Sequence, residues 1–568
     1  MSLIGTLNLA KSALAVQQAA LQVTGNNVSN AGNADYTRQT SRVEATPDQE
    51  LQPGIFLGTG VNLSAVQRQI DEALEGRIRG SISDNESADQ LQQWLGRVEA
   101  TFNELSDDDL STQLSTFFNS WSNLANKPQD VGLRQVVIQS GQNVADWFKN
   151  LRGQLGSLQS DADSRLKALA GDADGLAQKI ADLNGQITIA EGGTGGTANG
   201  LRDQRDAVLK QLSQLIDIKT VPEQNGSVVN VYVASEPLVV GTLNRGVGLK
   251  TETIDDQVVA TVIFKANNGA MKLSSGQLGG IASARQQIAN TIGQVDTLAG
   301  NFIFELNKLH ASGQGLSGFN SILSTSGVDD TTVALTDPTS GLKFTPSNGS
   351  FVVHVKNKLT GMTTSTLVKV DLDGLNNDDT TLDSLTTDLD AINNVNATNS
   401  GGKLKIAADS NDVEISFSQD SSGVLAALGI NNFYQGTSAF DIGVNASIAS
   451  NPALLAASKN GEPADNQTAL AIADLESAPL VGLNGASLKD AYQTTVNTIA
   501  TSAAGAKTNA EATLVVKDTL QAQREALSGV SLDEEAVNLM KQQRAFQGAA
   551  RLITVVNEMM DTVLNLLR

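Results

Sequence analysis

The fold is decided at the C-terminal end of the chain, where residues 531–568 read SLDEEAVNLMKQQRAFQGAARLITVVNEMMDTVLNLLR. One heptad position is apolar through six repeats: Leu532, Leu539, Phe546, Ile553, Met560 and Leu567. The position three residues later carries Ala549, Val556 and Val563, with Gln542 as its polar exception. This a/d pattern predicts a coiled-coil helix of about 35 residues, roughly 50 Å long. Ser531 and Glu534 form a capping-box signature that predicts its start near residue 531.

The N-terminal end carries a matching but weaker pattern. Leu7, Leu14, Leu21 and Val28 recur every seven residues in a stretch with few helix breakers. Both ends are therefore predicted to be long helices, and one copy alone is not expected to order them. An ordinary core helix in a bundle remains the alternative for the C-terminal heptads.

Gly25, Asn26 and Asn27 interrupt the N-terminal helix with residues that each cost about 0.5–1 kcal/mol relative to alanine. One interpretation is that the glycine permits close backbone approach and the amides bond across a subunit contact. The other is a helix C-cap, with a turn after Thr24. The residues alone leave both open.

The middle of the chain alternates between helical and β-rich segments. Helical spacing covers 84–126, 131–190, 199–217, 280–310 and about 485–527, whereas 218–275 and 320–440 read as strands and turns. Residues 320–440 contain a strand–helix–strand run with its short helix near 381–393, and the glycine-rich 191–200 reads as a linker. The predicted fold class is multidomain α+β: paired terminal helices, a helical rod domain and inserted β-rich outer domains.

Four domains are predicted from this pattern. A terminal helical core combines 1–60 with 528–568, and a helical rod combines 61–217, 276–319 and 441–527. A small β-rich insert spans 218–275, and a β-rich outer domain spans 320–440.

Composition removes several classes of function. The 568 residues carry a formal net charge of −22, which repels phosphate backbones and anionic lipid, so neither nucleic acid nor membrane insertion is expected. Cysteine is absent, so no disulfide is possible. Aromatic residues make up 4%, which predicts cores of Ala, Leu, Val and Ile. The N-terminus lacks a basic region followed by an uninterrupted apolar stretch, so a cleavable secretory signal is not expected.

Catalytic and metal-binding patterns are weak. The two histidines, His310 and His354, are interpreted as structural, and the ligands of a zinc protease are missing. Asp371, Asp373 and Gly374 resemble part of a calcium loop without its remaining ligands, and a strand-ending turn explains them better. The glycines at 192–200 lack the ending of a phosphate-binding loop. We predict no enzyme activity, no catalytic or metal site and no cofactor.

Several stretches carry a family resemblance. Residues 12–30, SALAVQQAALQVTGNNVSN, resemble the signature shared by flagellar rod, hook and hook-associated subunits. The continuation with Tyr36, Arg38 and Gln39 is similar to the hook-associated protein 1 family in particular. ANGLRDQRD at 198–206, LSSGQLGG at 273–280 followed by Leu306, Asn307 and His310, and SGVSLDEEA, QQRAFQ and AR in 528–551 agree with it. The β segments match only in type.

The resemblance implies a structural subunit between the flagellar hook and the filament. The predicted subunit-interface residues lie on the terminal helices: Leu7, Leu14, Leu21, Asn26, Asn27, Val28, Leu539, Phe546, Ile553, Val556, Met560, Val563 and Leu567. Implied partners are other copies in a ring, the hook protein, hook-associated protein 3 and an export chaperone at the C-terminal helix. The implied location is extracellular, on the flagellum, after type III export.

Two alternatives remain at this point. Another axial protein, such as hook-associated protein 3 or a hook or rod subunit, shares the terminal helices, but residues 36–39 and 199–206 argue against it. A flagellum-displayed adhesin using 320–440 is the alternative from a different class.

Overall fold

A computed structural model gives the fold and describes residues 3–102, 109–193, 196–223, 226–254 and 257–566. The predicted interface residue Leu567 lies outside these ranges, as does Asn225 within the segment 218–275 that is predicted to form strands and turns. Among the described residues, every helix is too short or too polar to cross a membrane.

The helices follow the sequence pattern closely. Their bounds are α1 Leu3–Ser29, α2 Glu72–Phe102, α3 Leu110–Asn126, α4 Val131–Glu191, α5 Asn199–Leu215, α6 Gly276–Ala311, α7 Leu382–Asp390, α8 Val424–Leu428, α9 Ala446–Ser450, α10 Gln467–Asp474, α11 Leu488–Ser528 and α12 Leu532–Leu566. The predicted long terminal helices are confirmed, and α12 has 35 residues. Because α1 continues to Ser29, the predicted alternative of a C-cap after Thr24 is wrong.

The strands form several small antiparallel sheets. Their bounds are β1 Gln39–Ala45, β2 Gln49–Gln52, β3 Ile55–Leu57, β4 Val61–Arg68, β5 Lys219–Pro222, β6 Val229–Val233, β7 Glu236–Val240, β8 Leu243–Asn244, β9 Val247–Ile254, β10 Gln257–Phe264, β11 Ser321–Leu323, β12 Gly349–Asn357, β13 Thr363–Val370, β14 Val395–Ser400, β15 Lys403–Ala408, β16 Val413–Ser418, β17 Tyr434–Gln435 and β18 Gly443–Val444. The multidomain α+β prediction is confirmed.

The chain divides into two compact units. The first comprises Met1–Trp94, Asp161–Arg285 and Ala504–Arg568, and the second comprises Leu95–Ser160 and Gln286–Ala503. Helices α2, α4, α6 and α11 each contribute residues to both units.

The first unit contains the terminal helices, α5 and strands β1–β10. Strand β1 pairs with β4, β2 with β3 and β9 with β10, while β5–β8 form a four-stranded sheet in sequence order. Helix α1 packs against α12, β1 and β4. Where α2 meets α11, Leu74, Ile78, Ile82 and Leu520 form an aliphatic core cluster.

Strands β1–β4, at residues 39–68, carry little sequence signal and were not predicted. In β4, Val61, Leu63 and Ala65 alternate with exposed polar residues, but no side chain of β1 or β4 is fully buried, so the signal of these strands is weak. The register of β1 on β4 also shifts between Arg42 and Val43, which breaks the period of two.

The second unit contains two three-stranded sheets, ordered β11–β15–β14 and β13–β12–β16. Its helical core contains an aromatic cluster, whose members are Phe117, Phe118, Trp121, Phe148, Phe302, Phe433 and Tyr434. Phe302 lies 5.2 Å from Tyr434 and 5.8 Å from Phe117 between ring centroids. Aliphatic side chains still form most of the buried core of this unit, as the composition predicts, and the aromatic cluster is packed among them.

Candidate assembly site at the terminal helices

Helices α1 and α12 pair along inner faces made of small and polar side chains. The buried residues of α1 are Ala10, Val16, Ala20, Thr24 and Asn27. Those of α12 are Glu535, Ala549 and Val556. Small residues allow the two backbones to approach, but they bury little apolar area per turn.

On α12 the predicted heptad faces α1 only in its central part. Val556 is 2% exposed, and Phe546, Ile553 and Met560 are half-buried. Leu539 and Val563 are exposed. A straight helix drifts about 20° per heptad relative to a 3.5-residue repeat, which carries the end positions off the inner face.

On α1 the predicted leucines lie beside the inner face. Leu7, Leu14 and Leu21 are half-buried and Val28 is exposed. At 100° per residue their stripe is centred roughly 100° around the helix from Ala10, Ala20 and Asn27. The most buried face of α1 is therefore formed by smaller side chains, and the leucines lie at its edge.

Asn27 is the centre of a buried polar junction between the chain ends. Its Nδ2 donates to Glu535 Oε2 at 3.1 Å and to the Gln39 carbonyl at 2.9 Å. Its Oδ1 accepts from Tyr36 OH at 2.8 Å and from the Gln39 amide at 3.0 Å. The Asn27 amide is thus saturated within the chain and has no donor or acceptor left for a neighbouring subunit. Asn26, by contrast, is exposed.

Arg38 joins the same junction from the loop before β1. Its Nε and Nη2 donate to Glu535 Oε1 at 3.0 and 2.7 Å, and its Nη1 donates to Glu534 Oε2 at 2.8 Å. Glu535 is 1% exposed, and Arg38 and the amide of Asn27 compensate its buried charge. Such a buried, fully paired group fixes the register of α12 on α1.

A second polar contact lies three residues along α1 from Asn27. Thr24 Oγ1 donates to Gln542 Oε1 at 2.9 Å. The polar exception in the heptad therefore has a specific partner. The predicted capping box forms only in part, because Ser531 Oγ accepts from the Glu534 amide at 3.4 Å while the Glu534 carboxylate pairs with Arg38.

Burial and nearby charged groups shift the pKa values at the junction. Burial, together with the carboxylates of Asp203 and Glu535, raises the pKa of Tyr36 to about 12. Burial lowers the pKa of the Arg38 guanidinium, but its hydrogen bonds to Glu535 and Glu534 outweigh burial and raise the pKa above its ordinary value. Tyr36 is therefore a neutral donor and Arg38 a cation at any physiological pH.

The stretch 199–206 forms a second polar network in the first unit. Arg68 on β4 donates to Asp203 at 2.9 Å and to Asp206 at 2.5 Å. Arg205 donates to Asn184 Oδ1 at 3.0 Å. The Asn184 Nδ2 donates to the carbonyls of Val229 in β6 and of Gly241 in the turn before β8. Burial raises the pKa of Asp203 and lowers that of Arg205 to about 10. These residues fasten α5 to α4 and to the sheets.

The histidines have structural partners. His310 is fully buried; its Nδ1 lies 2.7 Å from the Asn431 carbonyl and its Nε2 accepts from the Ala456 amide. Burial lowers the pKa of His310 to about 4. His354 lies between the hydroxyls of Ser365 and Ser418.

Asp371, Asp373 and Asp379 bring carboxylate oxygens within 4.8 Å of one another. Two of the three accept backbone amides within their own turn: Asp373 from Leu375 and Asp379 from Gly374. Through these hydrogen bonds the carboxylates of Asp373 and Asp379 stabilise the turn that follows β13.

Several residues of the junction were not predicted as site residues. Arg38 and Glu535 lie almost 500 positions apart, and nothing in either local pattern links them. The available signal was Gln542, a polar residue at a predicted core position, which requires a partner when it is buried.

Comparison with known proteins gives matches along the whole chain. The family model described as flagellar hook-associated protein FlgK helical domain matches residues 95–322, and that of the flagellar basal body rod FlgEFG protein C-terminal matches residues 522–566. Flagellar hook-associated protein 1 of Escherichia coli K12 is 26% identical over 597 residues, covering 99% of both chains. The protein of the same name from Bacillus subtilis is 27% identical and covers 98% of this chain and 97% of its own length.

Among solved structures, the flagellar hook junction protein FlgK from Burkholderia pseudomallei is similar in fold. It covers 80% of this chain and 100% of its own, with a TM-score of 0.50 and 17% sequence identity. Full-length similarity to several proteins of one name, the match to the FlgK helical domain and the shared fold agree with one another. The chain is therefore similar along its whole length to proteins named flagellar hook-associated protein 1, and residues 95–322 match the FlgK helical domain.

Proposed function

We propose that the chain is a structural subunit of the bacterial flagellum that joins the hook to the filament and assembles through α1 and α12. The observation that carries this proposal is the outer face of α12. Its apolar residues there are exposed: Val537, Met540, Leu552, Val555, Met559 and Leu566. Val555 and Met559 are 46% and 52% exposed.

A helix that is apolar on both faces is typical of one buried on both sides. In a single copy only the inner face of α12 is covered, by α1. Neighbouring copies in a ring would cover the outer face and add the buried area that the small inner contacts lack. Leu7, Leu14, Leu21 and Val28 on α1, with Leu539 and Val563 on α12, would join the same contact.

The proposed partners follow from the family and from this surface. The hook protein lies on one side of the ring and hook-associated protein 3 on the other. Before assembly an export chaperone covers α12, because the exposed apolar face would otherwise aggregate. The subunit leaves the cell through the flagellar export apparatus and acts without catalysis, and the relatives' names, flagellar hook-associated protein 1, support the assignment.

Deletion of the gene in its own flagellated host tests this function. We expect cells with complete hooks but no filaments, flagellin in the medium, and no swimming. Expression of the full chain should restore filaments. Filaments of normal number on the deleted strain would contradict the proposal and favour surface decoration.

A further inference from the structure

The turn that follows β13 in the second unit brings three carboxylates together. Asp371, Asp373 and Asp379 each offer one oxygen, and these oxygens lie within 4.8 Å of one another. Ca²⁺ holds its oxygen ligands at about 2.3–2.6 Å, so two ligands on opposite sides of one ion are about 4.6–5.2 Å apart. The three oxygens are therefore close enough to bind a single ion together.

No cation of the described ranges compensates the charge of this cluster. Every ion pair there joins other residues, and none includes Asp371, Asp373 or Asp379. The Leu375 amide donates to Asp373 Oδ1 at 2.8 Å, and the Gly374 amide donates to Asp379 Oδ1 at 2.9 Å. The second oxygen of each of these two carboxylates has no donor among the described groups. Since like charges at this separation repel one another, a bound cation would stabilise the turn.

The carboxylate of Asp371 adds an independent observation. Its Oδ1 is closed off from solvent, and no group of the described ranges donates a hydrogen bond to this oxygen. A buried polar atom without a partner is rare in folded proteins, and a buried charge without one is costly. A cation held by this carboxylate would supply the partner that the described groups of the chain do not supply.

Backbone contacts hold the two ends of the turn together. The Asp371 amide donates to Thr380 Oγ1 at 2.8 Å, and the Thr380 amide donates to the Asp371 carbonyl at 2.6 Å. Between these ends the chain passes through the left-handed region at Gly374, with a φ of 74°. The chain thus doubles back, and Asp379 returns to the side of Asp371.

We propose that Asp371, Asp373 and Asp379 bind a calcium ion between the end of β13 and the start of α7. A set of carboxylate oxygens suits Ca²⁺ and Mg²⁺ rather than zinc or copper, and an irregular turn suits the flexible coordination of Ca²⁺. The sequence indicated only a strand-ending turn, because the third acidic position before Gly374 is absent and the fold brings Asp379 in from beyond the glycine. The site would stabilise the β-rich segment 320–440 and does not depend on the assembly function above.

Calorimetric titration of the full chain with CaCl₂ in metal-free buffer tests the site. Because only three carboxylates contribute, we expect one saturable site with a Kd of about 10⁻⁴–10⁻³ M, the range of extracellular calcium modules. Asp371→Asn and Asp373→Asn should each raise this Kd about tenfold or more. Asp378→Asn removes the same charge from an exposed neighbour outside the cluster, and this matched control should bind Ca²⁺ as wild type does. Displacement of Ca²⁺ by an equal concentration of MgCl₂ would overturn the assignment to calcium.

The thermal transition provides a second measurement. Saturating Ca²⁺ should raise the transition temperature of wild type and of Asp378→Asn, but not that of Asp371→Asn. In metal-free buffer Asp371→Asn should be at least as stable as wild type, because it relieves the repulsion among the carboxylates. If Asp371→Asn does not fold, Asp373→Asn, at an exposed side chain, gives the same comparison.

Two results would overturn the proposal. One is the absence of saturable calcium binding by wild type. The other is equal calcium affinity and equal calcium stabilisation in wild type and in the folded cluster variant, which would show that the carboxylates serve the turn alone.

Discussion

The terminal helix pair of the first unit and the aromatic cluster of the second unit are held together by different contacts. The pair buries small residues and places Asn27, Glu535, Thr24 and Gln542 in hydrogen bonds across the seam. The cluster is a dry core in which Phe117, Phe302 and Tyr434 are each fully buried.

This difference indicates which region folds within one copy and which is stabilised only by neighbouring copies. Large aromatic rings bury much apolar area within one copy, so the cluster does not depend on a neighbouring copy for its stability. Small residues and saturated polar groups instead specify register while contributing little net stability. The second unit is thus expected to fold independently of assembly, while the terminal pair is positioned by its polar junction and stabilised by neighbouring copies.

The largest effect is expected in the aromatic cluster. Phe302→Ala removes a ring that contacts four others, and we expect the free energy of unfolding of the second unit to fall by about 3–5 kcal/mol. Denaturant unfolding followed by tryptophan fluorescence would measure it, because Trp121 lies in the cluster. Phe440→Ala, at a position 73% exposed, should change little. A small effect of Phe302→Ala would remove the contrast between the two regions.

The next effect concerns His310 and pH. Its folded pKa of about 4 lies below its ordinary value of 6.5, so the unfolded state binds more protons between these values. The stabilising contribution is therefore complete above pH 6.5 and is lost as the pH falls towards 4, by about 3 kcal/mol in total.

Unfolding of wild type and His310→Gln at several pH values would measure this loss. In His310→Gln the free energy of unfolding should not fall in this way between pH 6.5 and 4. His354→Gln, at a half-buried position, should keep most of the fall seen in wild type. Parallel slopes for wild type and His310→Gln would show that the imidazole is not buried neutral.

A smaller and local effect is expected at the polar junction. Glu535→Ala removes the acceptor of Arg38 Nε and Nη2 and one of the two acceptors of the Asn27 amide, and should weaken the pairing of α12 with α1 by about 1–3 kcal/mol. Hydrogen exchange of the α12 amides should rise, while the second unit's unfolding stays unchanged. Glu534→Ala, where the side chain is 61% exposed, is the matched control and should have little effect. Equal effects of the two variants would contradict a register role for Glu535.

The helices could be predicted from sequence because their spacing is local information. The capping and heptad signals near Ser531, Phe546 and Ile553 give the bounds of α12 almost to the residue. The strands of 39–68 were missed, since no side chain of β1 or β4 is fully buried and only β4 shows a short apolar alternation.

The inner face of the pair was harder to predict than the helices themselves. Leu7, Leu14 and Leu21 are the largest apolar residues of α1 in a regular repeat, yet the close approach of α12 selects Ala10, Ala20 and Thr24. The partner of a polar residue such as Asn27 depends on contacts hundreds of positions away, which no local pattern encodes. Gln542 is a polar residue in an apolar repeat, and this was the one sequence feature that indicated a specific contact at the inner face.

The central claim is that α12 is ordered by assembly and is dispensable for folding of the remaining chain, and Phe546→Asp tests it most directly. Phe546 is half-buried in one copy, and an aspartate there would place an unpaired carboxylate in the seam once neighbours close around it. Thr554→Asp, at an exposed position of the same helix, is the control.

The decisive measurement compares the thermal transition of purified Phe546→Asp with its incorporation at hooks in the deleted strain. We predict an unchanged main transition, no incorporation, and flagellin lost to the medium, whereas Thr554→Asp assembles. If Phe546→Asp instead unfolds the purified chain, or if cells producing it still swim, then α12 is an ordinary core helix and assembly does not depend on it.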